Sequence, residues 1–166
     1  MQIVVVSDSH GRNEVFSKLR ELHPNASAYI SCGDTECSEE YLDGFVTVQG
    51  NNDHYEQYPK RLVLNVDGLR ILVMHGDRIP PLELTHRLSD YAIAEDCQLM
   101  CYGHSHIFHV ETKNGVLLVN PGSIYYNRDY TTPSYALITY ENGNFHVDRL
   151  AIDEPKQKKK GFFARF

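Results

Sequence analysis

The chain has 166 residues and a mass of 19.0 kDa, the length of one ordinary domain with a core of its own. Hydrophobic residues make up 42% and charged residues 23%, with only 11 Gly and 7 Pro, which excludes disordered and fibrous classes. The longest apolar runs, such as Ile3 to Val6 and Val116 to Val119, fall far short of the roughly 20 residues a bilayer crossing needs.

Charge divides the chain into two unequal parts. Residues 1–155 hold 22 acidic and 11 basic side chains, a net of −11, whereas residues 156–166 hold five basic ones (Lys156, Lys158, Lys159, Lys160 and Arg165) and no acid. A body this acidic is a poor generic binder of nucleic acid, because neutralising phosphates needs a basic face. Met1 is followed within two residues by a strand-like run, so no leader is expected and the cytoplasm is the expected compartment. Cys32, Cys37, Cys97 and Cys101 show no C-x-x-C spacing and read as reduced thiols, neither a zinc knuckle nor a disulfide frame.

In chain order, Ile3-Val4-Val5-Val6 is an uninterrupted β-branched run, expected for a strand covered on both faces. Asn13 then opens a helix with Val15, Phe16, Leu19 and Leu22 on one side. Ala28 to Cys32, Phe45 to Val48 and Arg70 to Met74 read as further strands. Pro80-Pro81 precedes a second helix over Leu82 to Glu95, with Leu88, Tyr91 and Ala92 on one face. Leu99 to Tyr102 returns to strand, and Val116 to Asn120, Tyr135 to Tyr140 and Phe145 to Leu150 follow without helices, the last two joined by a turn at Glu141-Asn142-Gly143-Asn144. Alternating α/β passing into meandering β predicts a layered α/β protein with mixed strand directions.

Chemistry gathers where those strands end. Asp8-Ser9-His10 follows the first strand, Gly33-Asp34 the second, Gly50-Asn51-Asn52-Asp53 the third, His75 the next, and Gly103-His104-Ser105-His106 the strand after that. In an α/β sheet the loops beyond the carboxyl ends of strands converge on one crevice. Any one cluster alone reads as an ordinary turn or structural histidine. Five in succession, each placing metal-ligand types after an apolar strand, read as one site. Two carboxylates, an amide oxygen and four imidazoles suit manganese, iron, zinc or nickel better than calcium or copper. Seven ligands exceed the needs of one ion and match two ions sharing a carboxylate. His23, His54, His86, His109 and His146 lack this context and read as surface or loop residues, His54 alone standing close to Asn51 in sequence.

These motifs resemble the calcineurin-like metallophosphoesterases, and within them the small single-domain bacterial and archaeal phosphodiesterases, over about residues 1–150. The family order D-x-H, GD, GN-(H or C)-(D or E), H and GH-(S or T)-H is complete here, with Asn52 standing at the H-or-C position, and Asn120-Pro121-Gly122-Ser123 matches a stretch that lies near the site in the small branch. The resemblance implies a sandwich of two mixed β-sheets packed face to face with helices outside. It implies that Asp8, His10 and His106 bind one metal, that Asn51, His75 and His104 bind the other, and that Asp34 bridges them. Manganese is the first expectation for both ions, with nickel, iron or zinc as alternatives.

One departure bears on catalysis. The larger phosphatases carry a histidine after the ligand asparagine, to protonate the leaving oxygen; here that residue is Asn52, and an amide is no general acid. Proton delivery falls to water or to His54, while Asn51 and Asn52 remain candidates to contact the phosphate. The expected activity is hydrolysis of small phosphodiesters by a hydroxide held between the two metals, with phosphomonoesters as the alternative. A non-catalytic scaffold like the small subunit of the eukaryotic retromer is the alternative outside enzymes. The expected organisation is a domain over 1–153 and a basic, aromatic tail over 154–166, suited to weak contact with an anionic membrane or an acidic partner. Association with a second copy of the chain stays open.

Overall fold

The computed structural model describes residues 1–54, 57–152 and 164–165. In chain order the strands are β1 (Gln2–Val6), β2 (Ala28–Ser31), β3 (Val46–Thr47), β4 (Arg61–Val66), β5 (Leu69–Met74), β6 (Leu99–Cys101), β7 (Phe108–Lys113), β8 (Val116–Pro121), β9 (Tyr135–Glu141), β10 (Asn144–Leu150) and β11 (Ala164–Arg165). Helix α1 (Glu14–Leu22) follows β1, and α2 (Leu84–Ala94) precedes β6. One sheet has the order β11-β10-β9-β1-β2-β3 and the other β4-β5-β6-β8-β7. Each is mixed, with β1, β2 and β3 parallel in the first and β5, β6 and β8 parallel in the second.

The period-two geometry of strands explains the layering. Ile3 and Val5 pack with Ile71, Val73, Leu99 and Val119 between the sheets, whereas Val4 and Val6 meet Val15, Phe16 and Leu19 of α1 on the outer face. A strand covered on both sides therefore has no polar position to spare, which is why residues 3–6 are all β-branched. Burial of a Val, Leu or Phe side chain contributes about 1.5–3 kcal/mol, and this one strand collects it from both layers. On the opposite side α2 lays Leu88 and Ala92 against Leu72, Met100 and Leu118.

Several boundaries differ from the sequence reading. Leu22 falls on the apolar side of α1 by spacing but, as the last residue of the helix, is exposed. The expected helix from Leu82 starts as a 3-10 turn over Pro81–Glu83, with Leu82 in solvent, and becomes α-helical at Leu84. Strands β4 and β7 were not anticipated; both are edge strands with few buried positions. Their hairpins carried a legible signal. Asp67-Gly68 and Asn114-Gly115, like Asn142-Gly143, have positive φ at both residues, the two-residue turn that Asp-Gly and Asn-Gly favour. Cys32, Cys97 and Cys101 are buried free thiols, and Cys37 is a partly buried one.

The basic tail lies outside the described residues except for β11, which pairs antiparallel with β10 at Asp148 and Arg149. Among the described residues no helix is long and apolar enough to cross a membrane.

Candidate metal centre

Both parallel sets of strands end at one rim of the sandwich, and short backbone hydrogen bonds stitch their loops together. Asp8 N donates to Gly33 O at 3.0 Å, His10 N to Asp34 O at 3.0 Å, and Gly103 N to His75 O at 3.1 Å. Two glycines make the approach feasible: a β-carbon on Gly50 would collide with the Asp34 carboxylate, and one on Gly103 with Ser7 Oγ. The backbone bends hard here. Asp8, His10, Asp34, Glu36, His104 and His106 all have φ between 44° and 68°, a left-handed region that residues other than glycine adopt at a cost and that clusters at functional sites.

The seven expected ligands converge. Asn51 Oδ1 lies 3.0 Å from His75 Nε2 and 3.1 Å from His104 Nδ1, and Asp34 Oδ2 lies 3.4 Å from His75 Nε2. Asp8 Oδ1 is 3.2 Å from His106 Nε2, 3.8 Å from His75 Nε2 and 4.0 Å from His10 Nε2. His10 Nε2 and His106 Nε2 are themselves 3.2 Å apart. Two triads are compact enough to hold an ion, Asp8-His10-His106 and Asp8-Asp34-His75. Asp8 belongs to both, whereas the resemblance made Asp34 the shared carboxylate. Asp8, Asp34 and His75 are buried and Asn51 is exposed, so the centre opens to solvent on the Asn51 side.

Whether cations fit can be tested on the donors themselves. Asp8 Oδ2 accepts Ser7 Oγ at 2.6 Å and His104 N at 3.1 Å, but Oδ1, fully buried, accepts no hydrogen bond among the described residues. A buried carboxylate oxygen without a donor is costly unless a cation faces it. The imidazoles are oriented to the same end. His10 Nδ1 meets Glu36 Oε1 at 2.5 Å, His75 Nδ1 meets Cys32 O at 2.7 Å, and His106 Nδ1 meets Tyr126 O at 2.9 Å. An acceptor at Nδ1 fixes the proton there and leaves the Nε2 lone pair directed inward. The residues fit divalent metal.

Charge without metal shows the same design. Burial alone would lower the His75 pKa, yet the Asp34 hydrogen bond, the Asp8 and Asp34 charges and the Cys32 carbonyl raise it to about 9. Burial would raise the Asp34 carboxyl, but His75 and two hydrogen bonds from Asn52 hold it well below the usual carboxylate range. His104 is pushed down by burial and by the neighbouring His75. The carboxylates that raise His75 are the same charges a cation at this centre would face.

Two groups were missed by the sequence reading, and a third was placed near the site without a role. Asp53, which the sequence reading left without a role, is buried and accepts four hydrogen bonds, from Asp34 N, Thr35 Oγ1, Glu36 N and Gly50 N. Glu36 holds His10, with no cue beyond standing two residues after Asp34. Ser123 donates to Asp8 O and accepts from Tyr125 N and Tyr126 N, while Asn120 donates to Gly103 O and Ser105 Oγ; the motif containing both thus braces two ligand loops. Asn52 sits at the centre with its backbone N and side-chain amide 2.8 Å from Asp34 Oδ1 and Oδ2. His54 is exposed and hydrogen-bonds none of these residues.

A family model for the calcineurin-like phosphoesterase superfamily domain matches residues 1–143. The chain belongs to that superfamily. It is 35% identical over 147 residues to the probable metallophosphoesterase YsnB of Bacillus subtilis, covering 86% of each chain. Its fold superposes on the crystal structure of a predicted phosphoesterase from Streptococcus pneumoniae with a TM-score of 0.87 and 29% identity, over 99% of this chain and 96% of that one. More distant structures share the fold alone. An archaeal phosphodiesterase has a TM-score of 0.67 and 23% identity over 90% and 100% of the two chains. Entamoeba histolytica Vps29 complexed with Zn²⁺ has 0.71 and 20% over 90% and 91%. As a calcineurin-like phosphoesterase, the chain is a metal-binding hydrolase of phosphoric esters built on two mixed β-sheets.

Proposed function

We propose that this phosphoesterase hydrolyses small phosphodiesters with two divalent cations, manganese first and nickel, iron or zinc as alternatives, in the cytoplasm. The observation that carries the reading is the buried, unpartnered Asp8 Oδ1 facing inward-turned histidine nitrogens from three loops. Asp8, His10 and His106 would hold one cation and Asn51, His75 and His104 the other, with Asp34 and Asp8 between them. Bound there, divalent cations lower the pKa of coordinated water and offset charge on the phosphate in the transition state.

The chain's own side chains account for the rest. Glu36, Cys32 O and Tyr126 O keep Nδ1 of three histidines protonated, so each presents a fixed Nε2. Asn52 spends its amide on Asp34 and holds that carboxylate in place. Asn52 cannot release a proton, and His54 is exposed and hydrogen-bonds nothing at the centre among the described residues, so neither stands ready to protonate a leaving oxygen. Esters whose leaving group departs without that proton are favoured, which supports diesters with acidic leaving groups over alkyl monoesters. The archaeal phosphodiesterase of the same fold supports the same choice.

The test is turnover of bis(4-nitrophenyl) phosphate and 4-nitrophenyl phosphate by protein stripped with chelator and reloaded with each metal. We expect turnover only with metal, faster on the diester, and a loss of about a hundredfold or more together with reduced metal content in Asp34→Asn. Faster cleavage of the monoester would reverse the substrate assignment. Two bound metals without turnover on a panel of phosphoesters would favour the scaffold reading.

A further inference from the structure

Exposed large apolar side chains are not spread evenly over the surface. Of the nine among the described residues, four flank His106 in sequence or follow Ser123: Ile107, Tyr125, Tyr126 and Tyr130. The tyrosines are 54%, 47% and 88% exposed. Their loop is nevertheless firmly built. Buried Asn127 accepts Ser123 N at 2.7 Å and donates to Thr132 O at 2.8 Å. Ser123 Oγ receives the amides of Tyr125 and Tyr126 at 3.0 and 2.9 Å, Arg128 N donates to His106 O at 3.0 Å, and the Arg12 guanidinium donates to Ile124 O at 2.7 Å. A loop tied to the ligand loops at this many points presents its rings in fixed positions.

Of the three tyrosines, Tyr125 stands against the metal centre. Its ring meets His10 edge-on with centroids 5.7 Å apart, and about half of the residue is in water. An aromatic face held rigid and half-solvated beside a phosphate-binding centre has the form of a stacking platform.

We propose that Tyr125 is a specificity-determining residue that stacks on a planar aromatic substituent of the phosphoester, so that the preferred substrates carry a nucleobase or an aryl group. The inference rests on reading the centre as one that binds phosphoesters. A phosphate seated at His10 and His106 places an ester substituent next to the Tyr125 ring, whereas a purely aliphatic substituent gains little from its π-face. Tyr126 contributes mainly its carbonyl, which orients His106, and Tyr130, 88% exposed, makes no ring contact with the centre among the described residues.

Direct calorimetric titration of the manganese-loaded protein separates this inference from the catalytic one, since it needs no turnover. The probes are two pairs differing only in the ring: adenosine 5′-monophosphate against ribose 5-phosphate, and phenyl phosphate against methyl phosphate. In the wild type we expect the ring-bearing member of at least one pair to bind about 5- to 100-fold more tightly, the worth of one base on an aromatic side chain; which pair shows it distinguishes nucleobase from aryl. The ratio should fall toward one in Tyr125→Ala and persist in Tyr125→Phe and in Tyr130→Ala. Equal binding within both pairs in the wild type, or a ratio untouched by Tyr125→Ala, overturns the subsite while leaving the phosphoesterase reading in place. Absence of binding by all four phosphates overturns both. Selective binding without diester turnover overturns the catalytic reading alone.

Discussion

Asp53 carries more of this centre than its sequence context suggests. Both of its oxygens are saturated by donors from three consecutive residues of one ligand loop and from Gly50 of the next. It therefore sets where Asp34 and Glu36 stand. Asp53→Asn would turn an amide toward donors that need an acceptor, leaving one or two buried N–H groups unpaired at about 1–3 kcal/mol each. We expect a melting point lower by about 5–15 °C for a chain of this size and weaker metal binding. A change under about 0.5 kcal/mol, measured by denaturant titration, would show that the loops are held by something else. At this scale the sequence displayed the proposed ligands, because metal-ligand types after apolar strands are conspicuous. It did not display Asp53 or Glu36, because an acid in a turn looks the same whether it accepts four hydrogen bonds or faces water.

At the scale of elements, α1 is fixed to the sheet at its C-terminal end by His23. The His23 amide closes the helix on Leu19 O at 3.0 Å, its Nε2 lies 2.8 Å from Tyr135 Oη on β9, and its carbonyl accepts the Tyr29 hydroxyl of β2. Burial lowers the His23 pKa and pushes the Tyr135 phenol up to about 12, so at neutral pH the hydroxyl donates to an uncharged imidazole. The fold disfavours the protonated histidine. Its contribution is complete above the unfolded pKa of about 6.5 and declines as the pH falls through that value toward the lower folded one. The difference in melting temperature between wild type and His23→Gln should accordingly shrink from pH 8 to pH 5. A difference constant over that range would mean that His23 does not titrate with unfolding. The element boundaries themselves were legible where burial was two-sided, as in residues 3–6. They were not legible at the edges, where β4 and β7 bury too little to show a pattern and only their Asp-Gly and Asn-Gly turns betray them.

For the whole molecule, the division into a catalytic body and a basic tail makes a clear demand. All seven proposed ligands lie between Asp8 and His106, and β11 adds only a two-residue pairing to the outer edge of β10. A chain ending at Asp153 should fold, bind metal as the full chain does and hydrolyse a small diester at the same rate. Binding to anionic vesicles or acidic partners, if the tail provides it, should fall in a salt-dependent way. A large loss of turnover in a shortened protein that stays folded and metal-loaded would place the tail in the active site.

The amino-acid sequence by itself determined the layered architecture and which residues are candidate ligands, because both are written in local patterns: the period of apolar residues, and polar clusters at the ends of strands. It also determined that the residue directly after Asn51 is an amide, Asn52, which is no general acid. Only the tertiary structure decided which carboxylate is common to both triads, which nitrogen each imidazole turns inward, and which outside groups, Glu36, Asp53 and the carbonyls of Cys32 and Tyr126, enforce those choices. Those partners are separated by between 17 and 43 residues in the chain. They meet only because strand register and the crossing of two sheets bring their loops to one rim, and no local pattern encodes a distance of that kind.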